Sequence, residues 1–366
     1  MITQVVEQPG ADPAGHPASV LPAANRPCGA STSQLRLQRF ALLALSAAIL
    51  IVFCIISLLI GARPVAFSTA FDTLFAYDPV SAEHIIIRDY RLPRTLLGLL
   101  CGAAFGVSGA LIQAATRNPL ADPGILGVNA GAAFFVTLAV GLFGFHAVSS
   151  HLWFAFLGAI TVTLLVYAVG SRGRDGATPV RLVLSGVALS AVLGGIGSSI
   201  TLLDPVAFDS LRLWSIGSLA GRNIDVVVTV APFIIFGLVL SVCVAPSLNV
   251  VALGDDPSRA LGANLVRTRI LVVIAVTLLA GAATAAAGPI GFVGLMVPHV
   301  VRWLTGPDQR WIIPFTILCS PILLLAADIT GRLVLFPGEL EAGIVTAFIG
   351  APVLVALARR TRASGI

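Results

Sequence analysis

Charged side chains are scarce in this chain, so the few that cluster stand out as candidates for chemistry. Arg91 and Arg94 flank Leu92 and Pro93 at the start of an apolar stretch. Such a pair either anchors a helix by snorkelling to a membrane interface or, where exposed, offers planar forks that match carboxylates bidentately. Asp328 and Arg332 stand four residues apart, acid first, the favoured order for an ion pair along a helix. Asp328 also lies near the end of an apolar run, where an ionisable residue is a functional candidate by default. A third group falls in the segment that carries Leu253, Gly254, Asp255, Asp256, Pro257, Arg259, Leu261 and Gly262. There Asp255 reads as a helix N-cap, Pro257 suits the first turn, the paired aspartates suit the positive end of the dipole and Gly262 suits the C-terminal cap. A short, capped helix outside the lipid is expected, either as a contact element or as a solvated connector.

What is missing narrows the chemistry further. All 22 basic residues are arginine. Without lysine the chain has no P-loop, Schiff-base lysine or lysine base, so any ATP that drives it must be bound by another subunit. The five cysteines, Cys28, Cys54, Cys101, Cys243 and Cys319, lack the paired spacing of a zinc site or a disulfide framework. His299 sits among Pro298, Arg302 and Trp303, a setting that suits an aromatic and basic interface better than a proton relay. No constellation of His, Asp and Glu falls inside the apolar stretches, so a membrane-embedded hydrolase lacks its reacting groups.

The elements that position these residues are membrane spans. The chain has 366 residues, 57% hydrophobic and 11% charged, with a mean hydropathy of +0.99, whereas a soluble domain carries about 25% charged residues. Residues 1–38 are rich in Pro, Ala, Gly, Ser and Gln without a hydrophobic period and are expected to form a disordered tail. Residues 39–362 are expected to be an all-α transmembrane domain. Ten spans are read at 40–60, 92–113, 124–143, 152–170, 182–203, 226–244, 269–287, 288–304, 312–329 and 342–358. Gly288 with Pro289, Pro298, and Gly350 with Pro352 mark kinked or broken helices, which lipid tolerates only where protein re-satisfies the backbone.

With an even number of spans both termini share a side. Fifteen arginines fall on that side and seven on the other, which places both termini in the cytoplasm. Residues 99–104 (LLCGAA) are echoed by 278–283 (LLAGAA), five spans later, so the two copies run in opposite directions as in the inverted repeats of transporters. Small residues crowd the second, fifth and seventh spans. Close helix packing is their usual role; in the fifth span, Ser190, Gly194, Ser198 and Ser199 alternatively line a path wide enough for a bulky solute.

Several long motifs in order carry a resemblance: Arg91 to Arg94 with the following GAAFGVSGALIQAATRNPLADPGILGVNAGAAF, then ALGDDPSRALGAN, GPIGFVGLMVPHVVR and GELEAGIVTAFIGAPVLVALARR. Over residues 40–362 the chain resembles the FecCD-type permease subunits of cobalamin, haem and iron–siderophore ABC importers. The resemblance implies a ten-helix subunit of the bacterial cytoplasmic membrane that pairs with a second permease, a copy or a paralogue, around a central pathway. It implies two partner ATPases that bind ATP and magnesium, a binding lipoprotein or periplasmic protein outside, and no cofactor on this chain. By position, Arg91, Arg94 and Arg332 match arginines that receive glutamates of the binding protein, and residues 254–262 match the helix that couples to the ATPase. Asn118 and Leu120 match part of a cytoplasmic gate. Two departures stand out: Thr178, Pro179 and Val180 replace small hydroxyl residues at a second gate, and Glu341 occupies a position often held by proline.

The expected function is ATP-driven alternating access for an iron–siderophore or related chelate, with membrane lipid and the protein subunits as partners and no nucleic acid. The rival is an ion-coupled secondary transporter, which is expected to place carboxylates near the bilayer midplane; only Asp328 approaches that.

Overall fold

A computed structural model describes residues 32–61, 65–145, 148–172, 178–336 and 338–363, and every regular element among them is helical. In chain order these are α1 (Thr32–Leu59), α2 (Phe67–Phe75), α3 (Ala82–Ile85), α4 (Leu92–Thr116), α5 (Val128–Gly141), α6 (Val148–Gly170), α7 (Pro179–Leu203) and α8 (Pro205–Ile216). The second half holds α9 (Ile224–Val251), α10 (Asp255–Ala260), α11 (Leu265–Ala287), α12 (Val293–Thr305), α13 (Gln309–Val334) and α14 (Ala342–Ala363). A π-helical segment, Ile86–Arg91, leads into α4, and a 3-10 turn, Pro123–Leu126, precedes α5.

Each of the ten expected spans coincides with a helix, and seven of these helices are long and apolar enough to cross a membrane. At 1.5 Å per residue, α5 and α12 reach only about 20 Å, short of a hydrocarbon core of about 30 Å. Both follow an irregular turn rich in Pro and Gly: the 3-10 turn before α5, and the segment from Gly288 to Phe292 before α12, where Phe292 takes a φ of 68°. Residues 32–38, expected in the tail, instead continue α1; Gln34, Leu35, Arg36, Leu37 and Gln38 are good helix formers. The rest of the expected tail lies outside the described residues.

α4 and α11 form the centre and are largely buried, so close packing does explain their small residues. They run in opposite directions, since Cys101 Sγ meets the Ala283 carbonyl at 3.9 Å while Arg117 and Arg269, near their other ends, share Asp255. The neighbours repeat the pattern: α13 packs on α4 as α6 packs on α11, and α5 pairs with α6 as α12 pairs with α13. The echo between LLCGAA and LLAGAA is thus matched by equivalent packing. Backbone contact is what the glycines permit; a Cβ added at Gly109 would lie 2.0 Å from the Gly294 carbonyl oxygen.

α7 breaks this rule. Most of it is unburied in this chain, and a Cβ added at Gly194 or Gly195 would meet nothing within 4 Å. Gly186 packs on the Ile125 carbonyl, but Gly194 and Gly195 are not there to pack within this chain.

Candidate functional site

Two ionic clusters occupy the opposite ends of α4. At the first, Pro93 stands in the first turn, where its missing N–H costs nothing, and Arg91 and Arg94 project beside the end of α1. Arg94 Nε donates to both oxygens of Asp328 at 3.0 Å, its Nη2 donates to Asp328 Oδ1 at 2.8 Å, and its Nη1 pairs with Glu339 Oε2 at 2.6 Å. Arg332 meets the other side of the same carboxylate through Nε at 3.1 Å and Nη2. Its Nη1 donates to the carbonyls of Ser57 (2.9 Å) and Ile60 (2.7 Å), and its Nη2 to Ser57 Oγ at 2.9 Å. Arg91 Nη1 donates to the carbonyls of Leu58 and Leu59, each at 2.8 Å. These carbonyls belong to the last turn of α1, where intrahelical donors run out.

The arginine pair is therefore not exposed, as the second reading of the sequence supposed: Arg91 is 6% exposed and the Arg94 side chain 12%. The local pair between Asp328 and Arg332 forms as expected, and Arg94, distant in sequence, makes it a triad. At 1% exposure this carboxylate would be costly to bury without such partners. Above the triad opens a bowl of about 420 Å³ lined by Arg91, Arg94, Arg222, Arg332, Tyr90 and Glu339. Arg222 is a functional candidate that sequence reasoning missed.

Arg222 stands in the loop between α8 and α9. Leu219, fully buried, pins that loop, together with bonds from Ser218 N to the Ala287 carbonyl (2.7 Å) and from Gly343 N to the Gly217 carbonyl (3.0 Å). Burial lowers the pKa of the Arg222 guanidinium, while Cys101 and Glu341 pull it back up.

At the far end of α4, Arg117 closes the helix in the left-handed region, with φ 53°. Its Nη2 reaches Asp255 Oδ1 at 3.0 Å, and Arg269 Nη2 reaches Oδ2 at 2.9 Å. Asp255 is thus not the N-cap expected from sequence: Gly254, with φ 108°, takes that position without a side-chain cap, and the carboxylate is left to bridge α4, α10 and α11. Gly262 follows the helix with φ 77°, as expected. Ser258 ties α10 down through Oγ to the Val250 carbonyl at 2.7 Å. Leu253, Leu261, Asp256 and Arg259 face outward, the last two loosely paired at 3.5 Å.

The residues expected at a gate adjoin this bridge. Asn118 directly follows Arg117; its Oδ1 accepts from Leu120 N at 3.0 Å, and Leu120 is exposed. At the departure before the fifth span, Thr178 serves as N-cap of α7, accepting from Arg181 N. Ser190 is half-buried, and Gly194, Ser198 and Ser199 lie on the open face of α7. Asp122 lines a small cavity with Phe105, Asn129, Ala280 and Gly294; burial raises its pKa, opposed by the bond from Gly124 N. His299 is buried edge-on against Trp303 at 5.0 Å, an aromatic contact as read. Among the described residues no three His, Cys, Asp or Glu side chains gather to hold a metal.

An all-helical bundle with paired half-length helices and, among the described residues, ionic clusters at both ends of its central helix is an architecture that suits a transport subunit. The profile of the FecCD transport family matches residues 49–360, and the chain belongs to that family. It is 49% identical over 318 residues to the ferric enterobactin transport system permease protein FepD of Escherichia coli K12, covering 87% of this chain and 94% of that one. It is 43% identical to the Fe(3+)-citrate import system permease protein YfmD of Bacillus subtilis 168, covering 84% and 91%, and 34% identical to the hemin transport system permease protein HmuU of Yersinia pestis, covering 86% and 95%. A solved structure of a metal-chelate type ABC transporter in an inward-facing conformation superposes with a TM-score of 0.78 at 28% identity, covering 87% of this chain and 99% of that chain.

Proposed function

We propose that this chain is the permease subunit of an ATP-driven importer whose cargo is a ferric siderophore, with the bowl outside and α10 in the cytoplasm. The observation that carries the reading is the placement of the two clusters at opposite ends of one buried helix. The arginine count assigns the α10 end, and both termini, to the cytoplasm of a bacterial inner membrane. Relatives named for ferric enterobactin and ferric citrate support the cargo class.

In this mechanism a loaded binding protein docks over the bowl. Two partner ATPases bind ATP and magnesium and grip the outward-facing Leu253, Asp256, Arg259 and Leu261. Asp255 passes the motion of α10 to Arg117 and so to Asn118 and Leu120. The open face of α7, with Ser190, Gly194, Ser198 and Ser199, meets a second permease across the pathway, and selectivity rests mainly with the binding protein. The ion-coupled rival loses its one carboxylate, because Asp328 is held on both sides by arginine.

The test is uptake of a panel of radiolabelled ferric siderophores in cells with and without this chain, and with the partner ATPase inactivated in its P-loop. Loss of the same chelate in both backgrounds is expected. Uptake that needs this chain, survives ATPase inactivation and collapses with a protonophore overturns the reading.

A further inference from the structure

The start of α1 meets the start of α13 at a cationic corner that the transport mechanism leaves unused. Arg39 lies over the indole ring of Trp311, its Cζ 5.5 Å from the ring centroid, within cation–π range. Phe40 packs edge-on against the same ring at 5.2 Å, so the shelf under the guanidinium is fixed between the two helices. The turn after α12 closes in from a third side: a Cβ added at Gly306 would stand 3.8 Å from Arg39 Nη2. Arg36 precedes Arg39 by one turn on the same face of α1, and Arg310 adjoins Trp311; both are exposed. Among the described residues no carboxylate pairs with any of the three guanidinium groups. Asp308, next to Arg310, accepts instead from the Arg310 backbone N–H and from Asn249 Nδ2.

An arginine that only anchors a helix extends its head into water. Arg39 is instead half-buried against an aromatic face, and stacking of that kind leaves the N–H edge of the fork available to an oxyanion. Within a turn of Arg39 an apolar ridge begins: Leu42, Leu45, Ile49 and Val52 are all exposed, and α1 is the most open of the seven long spans. We infer that this corner is a binding site for an anionic phospholipid, its phosphate received by Arg39 with Arg36 and Arg310 and its acyl chains laid along the ridge of α1. A phosphate that carries tails matches both halves of the surface, whereas a free phosphate matches the cations alone. From the transport reading the site takes only its side of the membrane, the cytoplasmic leaflet, where basic residues close to the surface attract anionic lipid.

The test uses the permease assembled with its ATPase partner in detergent, titrated with phosphatidylglycerol or with phosphatidylcholine of the same chains, and counts bound lipid by native mass spectrometry. The unmutated assembly is expected to take up phosphatidylglycerol saturably, and at least about 10-fold more tightly than phosphatidylcholine. Arg39→Gln is expected to weaken phosphatidylglycerol about 5-fold, and the triple change of Arg36, Arg39 and Arg310 to Gln to abolish the preference while phosphatidylcholine binds as before. Arg267→Gln makes the same charge change at an exposed arginine in the first turn of α11; a remote charge is screened, so binding is expected to stay within about twofold. An equal loss from Arg267→Gln would show attraction to net charge and overturn the site. Equal uptake of the two lipids by the unmutated assembly would overturn it too, and that result needs no variant to fold. The last arm offers the tail-less headgroup glycerophosphoglycerol: binding as tight as that of the whole lipid would make the corner a site for soluble phosphates and sink the lipid assignment. None of these readouts involves transport, so their failure leaves the importer reading standing.

Discussion

Asp255→Asn is the substitution that separates the proposed grip on the ATPase from the proposed gate. The carboxylate bridges Arg117 at 3.0 Å and Arg269 at 2.9 Å, with Asp255 itself a third exposed. Pairs this accessible are screened and contribute about 0.5–1 kcal/mol each; two of them give about 1–2 kcal/mol, a factor of about 5–30 in the equilibrium they bias. Asparagine keeps the size and the hydrogen-bonding oxygen but drops the charge, while the outward-facing Asp256, Arg259 and Leu261 are untouched. In proteoliposomes containing permease, ATPase and binding protein, the complex should therefore assemble and hydrolyse ATP, while chelate moved per ATP falls about 5- to 30-fold. Arg117→Gln removes one of the two pairs and should give a smaller defect of the same kind, about 2- to 5-fold, and the double variant should be no worse than Asp255→Asn alone. Unchanged transport per ATP in both variants would refute the bridge as the link. Loss of the ATPase from the Asp255→Asn complex would instead make Asp255 part of the grip.

Three further outcomes follow from the packing and the buried charges. Asp328→Asn strands Arg332 and Arg94, whose side chains are 2% and 12% exposed; breaking a buried ionic group this way costs about 3–5 kcal/mol, so detergent-solubilised protein should melt at least about 5 °C lower, and an unchanged melting temperature would deny the triad its structural role. Gly109→Val should abolish stable expression because a Cβ there meets the Gly294 backbone, whereas Gly194→Val on the open face of α7 should fold normally and slow uptake; normal folding of the first, or full uptake by the second, would contradict the packing and the pathway respectively. Asp122 has its pKa raised by burial, so the folded state holds its proton more tightly than the unfolded state, and stability is lost as pH rises through the folded pKa. Asp122→Asn, which can still accept from Gly124 N, should therefore be more heat-stable than the parent at pH 8 and lose that advantage on acidification; an advantage independent of pH would show that ionisation is not the cause.

Hydropathy alone located the ten spans, because a bilayer demands length and apolar composition from each, and the LLCGAA echo exposed the repeat. What escaped the sequence depends on distant partners. Nothing in residues 91–94 says that Asp328 will come to meet Arg94, so burial of that pair was hidden. Asp255 has the composition of an N-cap, but Gly254 with φ 108° took the position once two arginines claimed the carboxylate. α8 was legible and overlooked: Asp204 accepts from Val206 N, Pro205 opens the helix and Gly217 follows its end, the start and stop signals of a helix in a stretch too polar to be read as a span. Arg222 had no local signal, since its significance lies in arginines brought to it from α4 and α13.

The charge pattern along the central helices bears on where the driving energy enters. α4 carries no ionisable side chain other than Cys101 between Arg94 and Arg117, and α11 none between Arg269 and its end. Its 25 residues make α4 about 37 Å long, enough to connect the bowl to the bridge at Asp255 as one rigid element. Backbone contact at Gly109 and burial along its length favour displacement of the helix as a unit over bending, because close-packed interiors shift between discrete arrangements rather than deform continuously. A carrier driven by an ion gradient needs a titratable or coordinating group near the middle of its path. Here the clustered charges lie at the two ends of α4, where the proposed docking protein and ATPases would act.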